Sequence, residues 1–295
     1  MIEPTIIHLE KWMHTYVPEK DLFFLKDEDL IILKKHLETV LIVPKEEFFA
    51  HASYKQIQLV NSYEYWRIAK EVQQVVVAHP SWYPSLPKPI KNSLNCSQLE
   101  VNRGLILPLS LIINKEYIPK ENILERNKKP FIVLQRQMWE ELSYSMKINI
   151  VEKLAAEKDS WECYELPAGA PAHLRKYANT FPLESGSNCL SATLFAISAQ
   201  EWLIHEWVHP QTFLEGLKNA NYVMQNDVEE VYVGDVVVWK DSSENIQHAS
   251  YHIGDQMYFN KDGQTFFNPW KIVSSREVNE EWKDFNRSIY RKMGT

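Results

Sequence analysis

The fold of the second half of the chain is decided by residues 234–267, GDVVVWKDSSENIQHASYHIGDQMYFNKDGQTFF. β-Branched and aromatic residues, which favour strands, recur there in short runs separated by turn-forming residues. The runs are GDVVVW (234–239), HASYHI (248–253), QMYFN (256–260) and TFF (265–267). Asp-Ser-Ser, Gly-Asp and Lys-Asp-Gly turns lie between the runs. This pattern predicts an antiparallel meander.

Two helices are predicted before the meander. Residues 188–200, NCLSATLFAISAQ, are rich in Ala and Leu and follow a Ser-Gly-Ser sequence that suits a helix N-terminus. Leu190, Leu194 and Ile197 would share one face, as expected for a helix packed on a sheet. A second helix is predicted over residues 211–224. A helical segment followed by a sheet predicts the α+β class.

In the first half of the chain, shorter helical and strand patterns alternate. The predicted helices there are Asp27–Ile42 and Gln137–Ala156, with residues 62–78 helical at their start and extended at Val75–Val77. The predicted buried strands are Gly104–Asn114 and Phe131–Leu134, and the proline-rich Ser81–Pro89 is predicted to be a loop. The Gly- and Pro-containing stretch 165–171 marks the region of a domain boundary. We therefore predict an N-terminal accessory domain over 1–150, with no assigned family, and a second domain over 151–295.

Composition narrows the function classes. The chain has 295 residues, a net charge of −7 and typical hydrophobic and charged fractions of 45% and 24%. A nucleic-acid binder normally carries a basic surface, so that class is disfavoured. The most apolar run, Gly104–Asn114, is too short to span a membrane, and the N-terminus lacks the pattern of a signal peptide. Three scattered cysteines do not form a disulfide scaffold. We expect a cytoplasmic, soluble protein. The sequence does not indicate its oligomeric state.

Three residues have the spacing of a thiol active site. Cys189 lies where the helix is predicted to begin, and the positive end of a helix stabilises a thiolate. His248 follows 59 residues later (248 − 189) in one predicted strand, and Asn260 follows 12 residues after that (260 − 248) in the next. Adjacent antiparallel strands can bring the two side chains together. The order Cys, His, Asn fits a papain-like triad.

Residues 177–267 resemble the catalytic core of the NlpC/P60 family of papain-like cysteine peptidases. The resemblance rests on Tyr177, the SGSNCLSATL segment around Cys189, the GDVVVW strand, and the HASYHIGDQMYFN segment with His248 and Asn260. It implies a papain-like core with Cys189 as nucleophile, His248 as general base and acid, and Asn260 as the group that orients the imidazole. The Cys189 backbone N–H would form part of the oxyanion hole, with Tyr177 contributing to substrate binding nearby.

The chain departs from the family pattern next to the nucleophile. The family's Asp-Cys-Ser-Gly is replaced by Asn-Cys-Leu-Ser at 188–191, the Gly-Gly after the tyrosine by Asn-Thr at 179–180, and the usual third residue, His, by Asn260. The resemblance implies a cysteine amidase or peptidase acting on cell-wall-type peptides with D-glutamyl or diaminopimelyl linkages, without a cofactor or metal. An acyl or amide transferase with the same triad and a non-catalytic papain-fold binding protein are the alternatives.

A second motif competes with the thiol site. Residues 205–209, HEWVH, satisfy the HExxH pattern of zinc hydrolases, in which two histidines one helical turn apart bind the metal. Pro210 follows at once and would distort such a helix. Asp227, Glu229 and Glu230 are the downstream candidates for a third ligand. Each residue of the thiol site also has a structural interpretation: Cys189 and Tyr177 as core residues, His248 as a hydrogen-bonded strand histidine, and Asn260 as a turn residue. Cys96 and Cys163 are interpreted as structural.

Overall fold

The computed structural model describes residues 1–225 and 230–294, apart from the side chain of Tyr117. These residues form two compact units. The N-terminal unit is residues 9–154, and the C-terminal unit is residues 155–294 together with residues 1–8. The first residues belong to the C-terminal unit because the Ile2 N–H donates to the Trp161 carbonyl and His8 packs near Phe181.

The N-terminal unit is built around two three-stranded antiparallel sheets. Its α-helices are α1 (Ile6–Thr15), α2 (Asp27–Leu33), α3 (Lys45–Ala50), α4 (Ile57–Ser62), α5 (Trp82–Ser85), α6 (Lys88–Glu100), α7 (Arg136–Glu141) and α8 (Tyr144–Lys158). Helix α1 begins before residue 9 and α8 ends after residue 154, so both extend past the ends of this unit. Its strands are β1 (Asp21–Leu25), β2 (Leu41–Pro44), β3 (Gln74–Ala78), β4 (Ile106–Pro108), β5 (Ile123–Arg126) and β6 (Lys129–Val133). The strand orders are β1-β3-β2 and β4-β6-β5.

Several elements of this unit differ from the prediction. The helix predicted over 27–42 ends at Leu33, and Ile42 lies in β2 opposite Val76, because pairing with β3 outweighs its place in the helical pattern. Only residues 106–108 of the run 104–114 form a strand, since Pro108 has no N–H for a ladder. The helix predicted over 137–156 is two helices, because Leu142 is extended between α7 and α8.

The segment 81–89 was predicted to be a loop, which is wrong for most of its length. Residues 82–85 form the short helix α5, and α6 begins at Lys88. Pro89 lies in the first turn of α6, where its missing N–H leaves no helical hydrogen bond unmade. The prediction failed because prolines at a helix start resemble those of a loop.

The C-terminal unit contains a six-stranded antiparallel sheet of order β11-β10-β9-β8-β12-β7. Its strands are β7 (Tyr222–Gln225), β8 (Val236–Lys240), β9 (Ile246–Gly254), β10 (Met257–Lys261), β11 (Trp270–Ser274) and β12 (Asn286–Lys292). Its helices are α9 (Cys189–Ser198), α10 (Pro210–Asn219) and α11 (Ser275–Glu281). The prediction of a protein of mixed helices and antiparallel sheets is confirmed.

The predicted meander is present as β8, β9 and β10, but its fourth strand lies elsewhere. Residues 265–267 form a turn in which the Asn268 side chain accepts from the Thr265 hydroxyl at 2.6 Å. The strand that pairs with β10 is β11, beginning at Trp270. The helix predicted over 211–224 ends at Asn219, because Asn221 adopts a left-handed conformation (φ 62°) before β7.

Helix α9 is buried over residues 190–196, so it is covered on more sides than the single apolar face that the sequence predicts. It contacts β9 and β10 on one side and α10 on another. Leu194 faces α10: a methyl group at Gly216 would lie 2.8 Å from Leu194 Cδ2. Leu194 also belongs to the core cluster that includes the sheet residues Val238 and Phe259, so α9 packs on the sheet as predicted and is held from several sides.

Among residues 1–225 and 230–294, none of the helices combines the length and the apolar character needed to cross a bilayer.

Candidate active site

Cys189 is the first residue of α9, and its neighbours define where that helix begins. The Asn188 Oδ1 accepts a hydrogen bond from the Ser191 N–H at 3.0 Å, and the Ser191 hydroxyl accepts one from the Asn188 N–H at 3.0 Å. This is a reciprocal capping box. The Asn188 Nδ2 also donates to the Val208 carbonyl at 2.8 Å. The half-buried Cys189 thiol is thus held at the positive end of a fixed helix.

His248 and Asn260 meet across β9 and β10. The distance between His248 Nε2 and Asn260 Oδ1 is 2.7 Å. The Asn260 Nδ2 donates to Asp262 Oδ1 at 2.8 Å, which fixes the orientation of the amide and leaves its oxygen toward the imidazole. Since that oxygen only accepts, Nε2 carries the proton in this pair. Nδ1 is then the ring nitrogen available to a thiol.

Ser250 joins the same cluster and was not predicted from the sequence. Its hydroxyl donates to Asn260 Oδ1 and lies 3.1 Å from His248 Nε2. Ser250 is two residues after His248 in β9, so both side chains point to the same face of the strand. That period-two relation was the only sequence signal for it.

Cys189 lies close enough to His248 to act on the pKa of the imidazole. Burial is the largest influence on the pKa of His248 and lowers it. The interactions with Cys189, the Asp262 carboxylate and the hydrogen bond to Asn260 together outweigh burial, so the pKa of His248 is raised. An imidazole so placed favours a thiolate–imidazolium pair.

Two tryptophans cover the imidazole. The Trp282 ring stacks on His248 with a centroid distance of 4.4 Å and an interplanar angle of 5°. The centroid of the Trp239 ring, on β8, lies 5.5 Å from the centroid of the His248 ring. His248 is consequently only 1% exposed. Water is kept from the His248–Asn260 hydrogen bond, which strengthens it.

A buried ionic network lies behind Asn260. Lys271 Nζ is 2.6 Å from Asp159 Oδ1 and 3.6 Å from Asp262 Oδ2. Lys261 is fully buried, donates to the Asn268 carbonyl, and has its pKa lowered to about 7 by burial. Asp262 thus links the network to the triad. None of these residues was predicted, because ion pairs between distant segments leave no local pattern.

A cleft of about 300 Å³ opens beside the thiol. Its apolar wall consists of Leu190, Val208, Pro210, Ile246 and Trp282. Asn188, Gln247 and Gln264 supply its uncharged polar side chains. The volume is at the small end of ligand pockets, which suits a short group next to a reacting carbonyl.

Tyr177 has contacts away from this cleft. Its hydroxyl donates to Glu201 Oε1 at 2.6 Å and lies 3.4 Å from His205 Nε2. Its ring packs edge-on against Phe195 and Trp270, and the side chain is buried. These contacts match its interpretation as a core residue, and the described side chains that line the cleft do not include it.

The HEWVH motif does not form the helical geometry that zinc hydrolases use. Residues 201–205 form a 3₁₀-helix that ends at His205, while His209 is the residue before α10. His205 packs against Trp270, and His209 packs against Trp207. In residues 1–225 and 230–294, no three His, Cys, Asp or Glu side chains are grouped to hold a metal. The ligand candidates Asp227 and Glu229 lie outside the described residues.

No family model, no curated protein and no solved structure matches the chain.

Proposed function

We propose that the C-terminal unit is a cysteine-dependent amide or peptide hydrolase with a papain-like Cys189–His248–Asn260 triad. The observation that carries the proposal is the 2.7 Å contact between His248 Nε2 and Asn260 Oδ1. That contact leaves Nδ1 for the Cys189 sulfur, with which His248 is paired. These observations support the assignment of a nucleophile, a base and an orienting group of the kind that acyl transfer uses.

In the proposed mechanism the Cys189 sulfur attacks the carbonyl carbon of an amide. The negative charge on the carbonyl oxygen would be stabilised at the N-terminus of α9, where backbone N–H groups point outward. His248 Nδ1, which has taken the thiol proton of Cys189, then gives that proton to the leaving nitrogen, the C–N bond breaks, and a thioester to Cys189 forms. Asn260 holds the ring in place through Nε2.

The second half of the reaction releases the acyl group. His248 takes a proton from water, and the resulting hydroxide attacks the thioester, which returns the thiol and a carboxylic acid. An amine in place of water would give a new amide, so hydrolase and transferase share every step before this one. Turnover without any added amine separates the two, because a hydrolase releases the free acid in water whereas a transferase needs an amine acceptor.

The decisive test removes the nucleophile. Cys189→Ala is expected to lose all hydrolytic and acyl-transfer activity against an amide substrate library, with unchanged circular dichroism, because no thioester can form. Cys163→Ala, a half-buried cysteine of the same unit, is the matched control and should retain activity.

A reactivity measurement tests the proposal without a known substrate. Cys189 should react with iodoacetamide at pH 6 faster in the wild type than in His248→Ala, because the imidazolium stabilises the thiolate. Equal rates in the two proteins would instead favour a non-catalytic binding protein. Activity retained by Cys189→Ala would overturn the proposal directly.

A further inference from the structure

The described side chains that line the cleft beside Cys189 lack the Lys and Arg residues that normally bind acidic peptides. Its described lining side chains include no Lys, Arg, Asp or Glu. Recognition of a substrate carboxylate normally uses Arg or Lys. Here Gln247 and Gln264 take the polar positions, beside the aliphatic Leu190, Val208 and Ile246.

Two carboxylates near the cleft interact with His248 by charge. Asp262 lies behind Asn260, and its charge acts on His248. The exposed Glu281, which precedes Trp282, also interacts with His248 by charge. A carboxylate on the substrate would therefore be repelled by these two negative charges.

The nearby lysines do not supply the missing cation. Lys271 is paired with both Asp159 and Asp262. Lys261 donates to the carbonyls of Asn268 and Thr265 and lies over the Trp270 ring. Both are buried and already engaged, and burial lowers the pKa of Lys261, whose charge also acts on Cys189, to about 7. An acidic acyl group would be desolvated in the cleft without a new partner.

We propose that the amide hydrolase described above takes substrates with an uncharged acyl group, aliphatic or amide-bearing, and discriminates against acidic acyl groups. This inference rests on the proposed function and narrows its substrate class. It excludes the D-glutamyl and diaminopimelyl peptides, whose free carboxylates would lie in this cleft. The small volume of about 300 Å³ limits the acyl group to about one residue.

The first experiment compares two alkylating reagents of nearly equal size, neutral iodoacetamide and anionic iodoacetate. Their rates with Cys189 are measured at pH 7 by peptide mass spectrometry, and their ratio is divided by the same ratio for free cysteine. We expect the ratio to favour iodoacetamide by about tenfold, from like-charge repulsion and desolvation. A ratio at or below that of free cysteine would overturn the inference.

A charge introduced into the cleft should reverse the preference. Gln264→Lys is expected to bring the ratio back to that of free cysteine or below it, because the ammonium offers iodoacetate a partner. Gln264→Met, of similar length and uncharged, is the matched control and should keep the wild-type ratio. An unchanged ratio in Gln264→Lys would show that cleft charge does not set the preference.

Turnover extends the test to substrates. The coumarin amides of N-acetylglutamine and N-acetylglutamate are almost isosteric, and kcat/KM should favour the glutamine amide by about tenfold. Preference for the glutamate amide would overturn the inference and leave the hydrolase proposal intact. If Cys189→Ala retained activity, the proposed function would fail instead. The alkylation ratio decides the charge preference even when neither amide is cleaved.

Discussion

At the scale of single residues, the site depends on how His248 is held. Its Nε2 is 2.7 Å from Asn260 Oδ1, and the Asn260 amide is oriented in turn by Asp262. Trp282 stacks on the imidazole ring. The ring therefore has one favoured orientation, and each contact can be removed separately.

Asn260→Ala should lower kcat by about 10²-fold, because the imidazole loses its orienting acceptor while the nucleophile stays in place. Ser250→Ala, which removes a neighbouring hydroxyl but leaves the His248–Asn260 pair, should cost much less. Steady-state kinetics of both variants measure the difference. Equal losses in the two would contradict the assignment of Asn260 as the orienting residue.

Asp262→Asn should lower the pKa of His248. The carboxylate favours the imidazolium, so neutralising it removes that stabilisation, whereas the asparagine can still accept from Asn260 Nδ2. The imidazole titration followed by NMR should shift to lower pH, and the alkaline limb of kcat/KM should shift with it. An unmoved titration would show that Asp262 is only a structural residue.

At the scale of elements, the start of α9 positions Cys189, the proposed nucleophile. Asn188 caps the helix through Oδ1 and anchors it to the Val208 carbonyl through Nδ2. The position of this helix start could be predicted from the sequence, because a polar residue before an apolar run is a local signal. The anchor to Val208 could not be predicted, because its partner is 20 residues away.

Asn188→Ala should reduce the free energy of unfolding by about 1 to 2 kcal/mol, because both the cap and the bond to Val208 are lost. Cys189 alkylation at pH 6 should slow as the helix end frays. Asn188→Asp retains a capping oxygen and should lose less stability in urea unfolding. A fully stable Asn188→Ala protein would show that packing alone fixes the helix start.

At the scale of the whole molecule, each unit contains a buried group whose ionisation opposes folding. In the N-terminal unit, burial raises the pKa of Asp21 to about 6. In the C-terminal unit, burial lowers the pKa of Lys261 to about 7. The folded state thus holds the Asp21 proton more tightly than the unfolded state and the Lys261 proton less tightly, so stability depends on pH with opposite signs.

The expected profile follows from these signs. The Asp21 contribution falls as pH rises from about 4 to about 6, and the Lys261 contribution rises as pH goes from about 7 to about 10. Asp21→Asn should flatten the first slope. Lys261→Met should flatten the second. Urea unfolding at a series of pH values checks both, and slopes unchanged in the variants would refute them.

The sequence by itself determined the local elements of the C-terminal unit. The β8–β10 strands and the start of α9 were predicted from alternation and capping, and the spacing of Cys189, His248 and Asn260 predicted that they meet. These features are local, or follow from pairing of neighbouring strands, so periodicity and turn residues encode them. In the N-terminal unit the same signals failed at Ile42, where strand pairing outweighed helical spacing.

Only the tertiary structure decided the surroundings of the triad. The stacking of Trp282 on His248, the pairing of Lys271 with Asp159, and the uncharged cleft bring together residues far apart in the chain. No local pattern encodes such contacts, because they form only when helices and strands pack together. The same packing buries Lys261 and Asp21, and it is burial, not residue type, that shifts their pKa values.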